Sequence, residues 1–168
     1  MPASKKSAAA WEQRLAELLP LYGHRNWIVV ADSAYPAQSR AGIETIFAGG
    51  DQLEAVSKVY EAITESTHVR ANIYLDQELA SVAEHDAAGV LDYRGQLERL
   101  LGRDVRQIPH EQIIAKLDQA AQVFRVLIIK TSMTIPYTTV FFELDCGYWS
   151  AEAEQRMRNA MKSPKGKK

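Results

Sequence analysis

Three apolar runs of strand length constrain the fold more than anything else in this chain: "WIVVA" at 27–31, "FRVLIIKT" at 124–131 and "TTVFFEL" at 138–144. A strand with one wet face alternates apolar and polar residues. A run whose centre carries no polar side chain has to be covered on both faces, as in a sheet sandwiched between helices. The intervening segments have the helical period. Trp11, Leu15, Leu18 and Leu19, stopped by Pro20, predict an amphipathic helix over 8–19. Ile43, Ile46 and Phe47 predict a short helix ending at Gly49-Gly50, and Leu53, Val56, Val59, Tyr60 and Ile63 a longer one. Residues 91–101, before Gly102, and the stretch through Ile113, Leu117, Ala120 and Ala121, after Pro109, predict two more. "VRANIYL" at 69–75 alternates as a strand does, and 105–108 is a short strand candidate. Ser150 caps a last helix, with Glu152 and Glu154 early and Arg156, Arg158 and Lys162 late, an order that complements the helix dipole. Strands alternating with helices predict an α/β fold, three layers α/β/α around a mainly parallel sheet. One domain is expected over 8–149, with 150–168 as a C-terminal helix and basic tail.

Composition narrows the function classes. The chain has 168 residues, 46% hydrophobic and 24% charged, with a formal net charge of -1, so nothing in the balance suits it to nucleic acid or an anionic membrane. Cys146 is the only cysteine, which rules out an intrachain disulfide and a cysteine-rich zinc site. No apolar run is long enough to cross a bilayer, and the first residues do not form a secretory leader. A cytoplasmic enzyme or binding protein is expected, with no metal and no cofactor. No phosphate-binding glycine loop, metalloprotease helix or nucleophile elbow is present. The "KSPKGKK" terminus reads as a solvated tail.

The residues able to carry chemistry sit at the ends of the strands. Asp32 follows "WIVVA" at a carboxyl end, where open α/β sheets bind ligands. It can equally bond its own turn or cap a helix near Ser39. His24 precedes the same strand, after Gly23, and can act as a plain C-terminal cap of the first helix. Eight extended residues span up to about 26 Å at ~3.3 Å per residue, so His24 and Asp32 lie near opposite ends of the sheet. If both serve one site, either a loop folds back or a second copy of the chain completes it. Tyr137 and Thr139 open the last apolar strand and share a face; Tyr137 is otherwise an aromatic at the core edge. Lys130 ends the preceding strand, where a lysine also snorkels to solvent. Glu143 and Asp145 lie on or near the last strand and need partners if buried. His110 opens a helix after Pro109, while His68 and His85 read as loop or surface residues.

Taken in order, Gly23-His24, "WIVVA", Asp32 and Pro36, followed late in the chain by Thr131, Tyr137 and "VFFEL", resemble the ribose pyranase and fucose mutarotase family, the RbsD/FucU type. "GGDQLEAVSKVYEAI" and "VRANIYLDQEL" resemble the fucose mutarotase branch, and the likeness runs from about Trp11 to Gly147. The chain departs from the family pattern at Thr139, where an Asn is usual, and at Ser132-Met133, where Gly-Glu is usual. The resemblance implies an isomerase that interconverts cyclic forms of a monosaccharide by acid–base ring opening. His24, Asp32 and Tyr137 would be its catalytic groups, and Thr139, His110 and Lys130 would bind substrate. It also implies a homo-oligomer, a decamer of stacked rings, with sites at subunit contacts. A sugar-binding or scaffolding oligomer that has lost the chemistry is the alternative.

Overall fold

The computed structural model describes residues 9–163; the first residue of the helix expected over 8–19 and the end of the basic tail lie outside them. The elements in chain order are α1 (Ala10–Leu18), β1 (Trp27–Ala31), β2 (Ile43–Phe47), α2 (Gln52–Glu65), β3 (Val69–Asp76), α3 (Val90–Leu101), β4 (Arg106–Ile108), α4 (His110–Ala121), β5 (Val126–Lys130), β6 (Val140–Cys146) and α5 (Ala151–Lys162). The six strands form one sheet in the order β2-β5-β1-β6-β3-β4. Only β6 runs against its neighbours: it pairs antiparallel with β1 and β3, while the β1/β5, β2/β5 and β3/β4 pairs are parallel.

The apolar runs become the strands at the centre of the sheet, where every residue of β1 is buried. Their alternate residues feed two cores. Ile28, Val30, Leu127, Ile129, Phe142 and Leu144 meet α1, α2 and α3 on one face. Trp27, Val29, Ala31, Val126, Ile128 and Phe141 meet α4 on the other, through Ile113, Leu117 and Ala121. The sheet is therefore covered on both sides, which is why these strands show no polar alternation.

The short helix expected over 43–47 is instead the edge strand β2, in parallel register with β5 from Ile43↔Val126 to Phe47↔Lys130. Ile43 and Ile46 are three residues apart, the spacing of one helix face. On a strand that spacing sends them to opposite faces, and they pack against different cores. Gly49 and Gly50, with φ of +63° and +65°, do not stop a helix but turn the chain from β2 into α2. The final helix is as expected, with the Ala153 N–H donating to Ser150 Oγ at 3.0 Å. It contributes no buried residue.

A buried polar cluster ties three strand ends together. The Gln52 side-chain amide donates to the Val30 and Thr138 carbonyls, both at 3.0 Å, and its oxygen accepts from the Thr131 hydroxyl at 2.6 Å. The Tyr93 hydroxyl also donates to the Thr138 carbonyl, at 2.7 Å. Leucine in place of Gln52 strands these buried groups. Gln52→Leu is expected to lower unfolding free energy by about 3 kcal/mol, as measured by denaturant titration. A loss below about 1 kcal/mol would mean the cluster is not holding the ends together.

Candidate active site

Five of the six strands point their carboxyl ends the same way, and β6 brings its amino end to meet them. That edge of the sheet holds a cleft of about 470 Å³. Its walls are the turn after β1 (Asp32 to Pro36), Asp76 at the end of β3, His110 at the start of α4, and the loop from Met133 to Tyr137 with Thr139. The position is the one an open α/β sheet reserves for ligands.

Each polar group there is held. Asp32 turns back on its own loop, with the Ala34 and Tyr35 N–H groups bonding its carboxylate. The Asx-type turn that the sequence offers as a bland reading is therefore present, and it aims the carboxylate at the cleft; no helix forms near Ser39. Burial pushes the Asp32 carboxyl up, opposed by those two N–H groups and by the charges of His110 and Lys130. The Asp32 N–H donates to Thr139 Oγ1 at 3.3 Å. Thr139 is almost wholly buried, so it braces the Asp32 turn from behind. The Ser33 N–H and hydroxyl both donate to the Met133 carbonyl at 2.8 Å, fixing the two cleft loops to each other.

His110 is held most firmly. Its N–H donates to both oxygens of Glu78 at 3.0 Å, and its ring Nδ1 lies 2.9 Å from Asp76 Oδ1. Its ring meets Tyr137 edge-on, centroids 5.7 Å apart. With Nδ1 donating to Asp76, Nε2 is left for a ligand. Tyr137 is 39% exposed and sits at φ +60°, a left-handed conformation that is strained for a tyrosine. Strain of this kind persists where the surroundings over-determine it, as they do in binding sites.

Asp76 is the cleft residue that the sequence reading overlooks. It is 2% exposed, and among the described residues Oδ2 has no hydrogen-bond partner. Burial pushes its carboxyl up to about 6, His110 pulling the other way. The folded protein therefore holds this proton more tightly than the unfolded chain does. Stability from this group is full below about pH 4, falls as pH rises, and levels off above about 6. A shift of about two units corresponds to roughly 3 kcal/mol. Parent and Asp76→Asn stabilities, measured by denaturant unfolding between pH 4 and 7, should diverge by about that amount. A gap independent of pH would show that Asp76 is ionised throughout.

The other expected site residues divide. Lys130, at the end of β5, does not line the cleft, although its charge favours ionised Asp32. His24 lies at the far end of β1, as the length of the strand requires. There its Nδ1 is 2.9 Å from Asp145 Oδ1, at the carboxyl end of β6. Asp32, His110, Tyr137 and Thr139 thus come together, while His24 and Lys130 stand apart from them. His68 is structural: its Nε2 lies 3.0 Å from the carbonyls of Leu19 and Tyr22. Among the described residues no helix is long and apolar enough to cross a membrane, and no three His, Cys, Asp or Glu side chains are grouped to hold a metal ion.

Comparison with known proteins places this architecture. Bacillus subtilis RbsD, solved with D-ribose, superposes with a TM-score of 0.57 at 17% identity, covering 83% of this chain and 97% of that one. The fucose mutarotase from Streptococcus pneumoniae, solved with L-fucose, gives 0.52 at 18% identity, covering 79% and 91%. FucU from Bifidobacterium longum gives 0.53 at 17%, covering 79% and 94%. At such identities the likeness is one of fold. None of the curated proteins matches the sequence. The sequence itself matches the model of the RbsD / FucU transport protein family over residues 5–147, which is most of its length, and the chain belongs to that family.

Proposed function

We propose that this protein is a monosaccharide isomerase of the mutarotase or pyranase type, working by acid–base opening of the sugar ring. The observation that carries the proposal is the cleft itself. Two carboxylates, an imidazole fixed through Nδ1 and an aromatic hydroxyl converge there on a space large enough for a monosaccharide. Ring opening needs a base to take the anomeric hydroxyl proton and an acid to protonate the ring oxygen. Imidazole titrates near neutrality and can serve either role. His110 Nε2 is available at the cleft, Asp32 accepts hydrogen bonds from sugar hydroxyls, and Tyr137 donates one while offering its ring to the apolar face of the sugar. The ligands of the two solved relatives, D-ribose and L-fucose, support a cyclic aldose as substrate.

The assembly we propose is a homo-oligomer, a stacked-ring decamer by analogy with the family, in which His24 of one copy faces the cleft of another. The separation of His24 from Asp32 along β1 supports this, because one chain cannot bring the two together. Sedimentation velocity should report a multimer at micromolar concentration; a stable monomer would remove His24 from the site.

Saturation-transfer NMR between the anomers of ribose, fucose and related aldoses should show exchange accelerated by the protein. A second reading is a sugar binder without chemistry, favoured by Thr139, whose hydroxyl serves the backbone of Asp32 where the family pattern has an Asn. Saturable sugar binding with no accelerated exchange for any common aldose would establish that second reading.

A further inference from the structure

The end of the sheet opposite the cleft carries its own constellation of charged groups, drawn from three elements. His24 and Arg25 lie in the turn before β1, Arg70 is near the start of β3, and Asp145 is near the end of β6. The antiparallel register sets Arg70 directly opposite Asp145. Arg70 donates to Asp145 Oδ2 at 3.1 Å, the Cys146 N–H donates to Oδ1 at 2.8 Å, and His24 Nδ1 lies 2.9 Å from the same Oδ1. On the other side of the imidazole, Arg25 Nε donates to His24 Nε2 at 3.3 Å. A guanidinium has no acceptor, and an ionised carboxylate has no donor. Only one neutral form of the ring satisfies both neighbours: proton on Nδ1, lone pair on Nε2.

We infer that Asp145, anchored by Arg70, is the positioning residue for His24, fixing the imidazole so that Nε2 is presented as the proton acceptor. This rests on the reading of His24 as an acid–base group. Burial pushes the Asp145 carboxyl up, but the Cys146 N–H, Arg70 and His24 outweigh it and hold the group below its ordinary value. It therefore stays ionised through the neutral range in which His24 would work. Arg25 occupies Nε2 in the resting chain. It is held at φ +76°, and its guanidinium lies 5.7 Å from the Phe124 ring centroid. An anomeric hydroxyl arriving at Nε2 displaces a weak, exposed contact and then meets a lone pair already aimed outward. The groups facing His24 are Arg25 from its own turn and Asp145 from β6, with Arg70 of β3 behind Asp145.

The test has two readouts. Nitrogen-15 shifts of His24 in the full-length protein above its titration should show the Nδ1–H form in the parent. Asp145→Ala should release the ring toward Nε2–H, while Asp145→Asn, whose amide oxygen still accepts from the Cys146 N–H and from Nδ1–H, should keep the Nδ1–H form. A parent in the Nε2–H form overturns the inference, whether or not the protein acts on sugars. In anomer exchange, Asp145→Ala should lower kcat about tenfold or more with little change in KM and should displace the pH profile, as loss of a histidine's orienting carboxylate does. Adding Asp145→Ala to His24→Ala should cost nothing further. Asp145→Ala at full rate beside an inactive His24→Ala overturns the inference. If both variants keep full rate while the tautomer is as expected, the acid–base role of His24 is what fails, and the positioning role fails with it.

Discussion

His110→Gln is expected to lower the proposed acceleration of anomer exchange by about a hundred- to ten-thousandfold, the contribution of a positioned acid–base group. Glutamine keeps much of the bulk and can still hydrogen-bond Asp76, but it cannot shuttle a proton. The sugar should still bind, because Asp32, Tyr137 and the braced loops of the cleft remain. The effect therefore falls on kcat rather than KM. Saturation transfer at several sugar concentrations separates the two. A variant that keeps kcat and loses affinity would make His110 a binding residue and move the chemistry elsewhere.

Subunit mixing carries the second large effect. His24→Ala and His110→Ala should each be close to inactive alone. Dissociated, mixed in equal amounts and reassembled, they should recover about one quarter of parental activity. A site then needs an intact His24 from one chain and an intact His110 from its neighbour, which a random closed assembly supplies at about one contact in four. The geometry behind this is the length of β1: His24 precedes it with Asp145, while Asp32 follows it in the cleft. A mixture no more active than its components would show that His24 does not reach a neighbour's cleft.

Much of the architecture was legible because its signals are strong. Strands buried on both faces leave unbroken apolar runs, and β1, β5 and β6 fall where those runs are. β2 imitates a helix in the sequence because its two isoleucines, three residues apart, serve opposite faces of an edge strand. In the candidate site, the place of Asp32 on the cleft wall follows from its position at a strand's carboxyl end. Asp76 occupies the equivalent place on β3, one residue past the alternating run that ends at Leu75, so the pattern alone leaves it outside the strand. Asp145 could be seen to need a partner, but His24 and Arg70 are distant in sequence and meet it only through the antiparallel register of β6. Gln52 gave no signal at all. A glutamine at the start of a helix reads as a surface residue, and only the assembled sheet shows three strand ends converging on it.

Arg25 and Tyr137 are the two non-glycine residues that the described chain holds at positive φ, one beside His24 and the other in the cleft. A left-handed conformation costs such a residue roughly 1–2 kcal/mol. Anyone engineering this protein for heat resistance would find glycine at these two positions among the simplest gains. Both changes would harden the scaffold and remove a side chain from the surface where two copies are proposed to meet over a sugar. A screen on melting temperature alone would thus accept Tyr137→Gly, which strips the cleft of its aromatic hydroxyl, so selection for durability here has to be run with activity as a second filter.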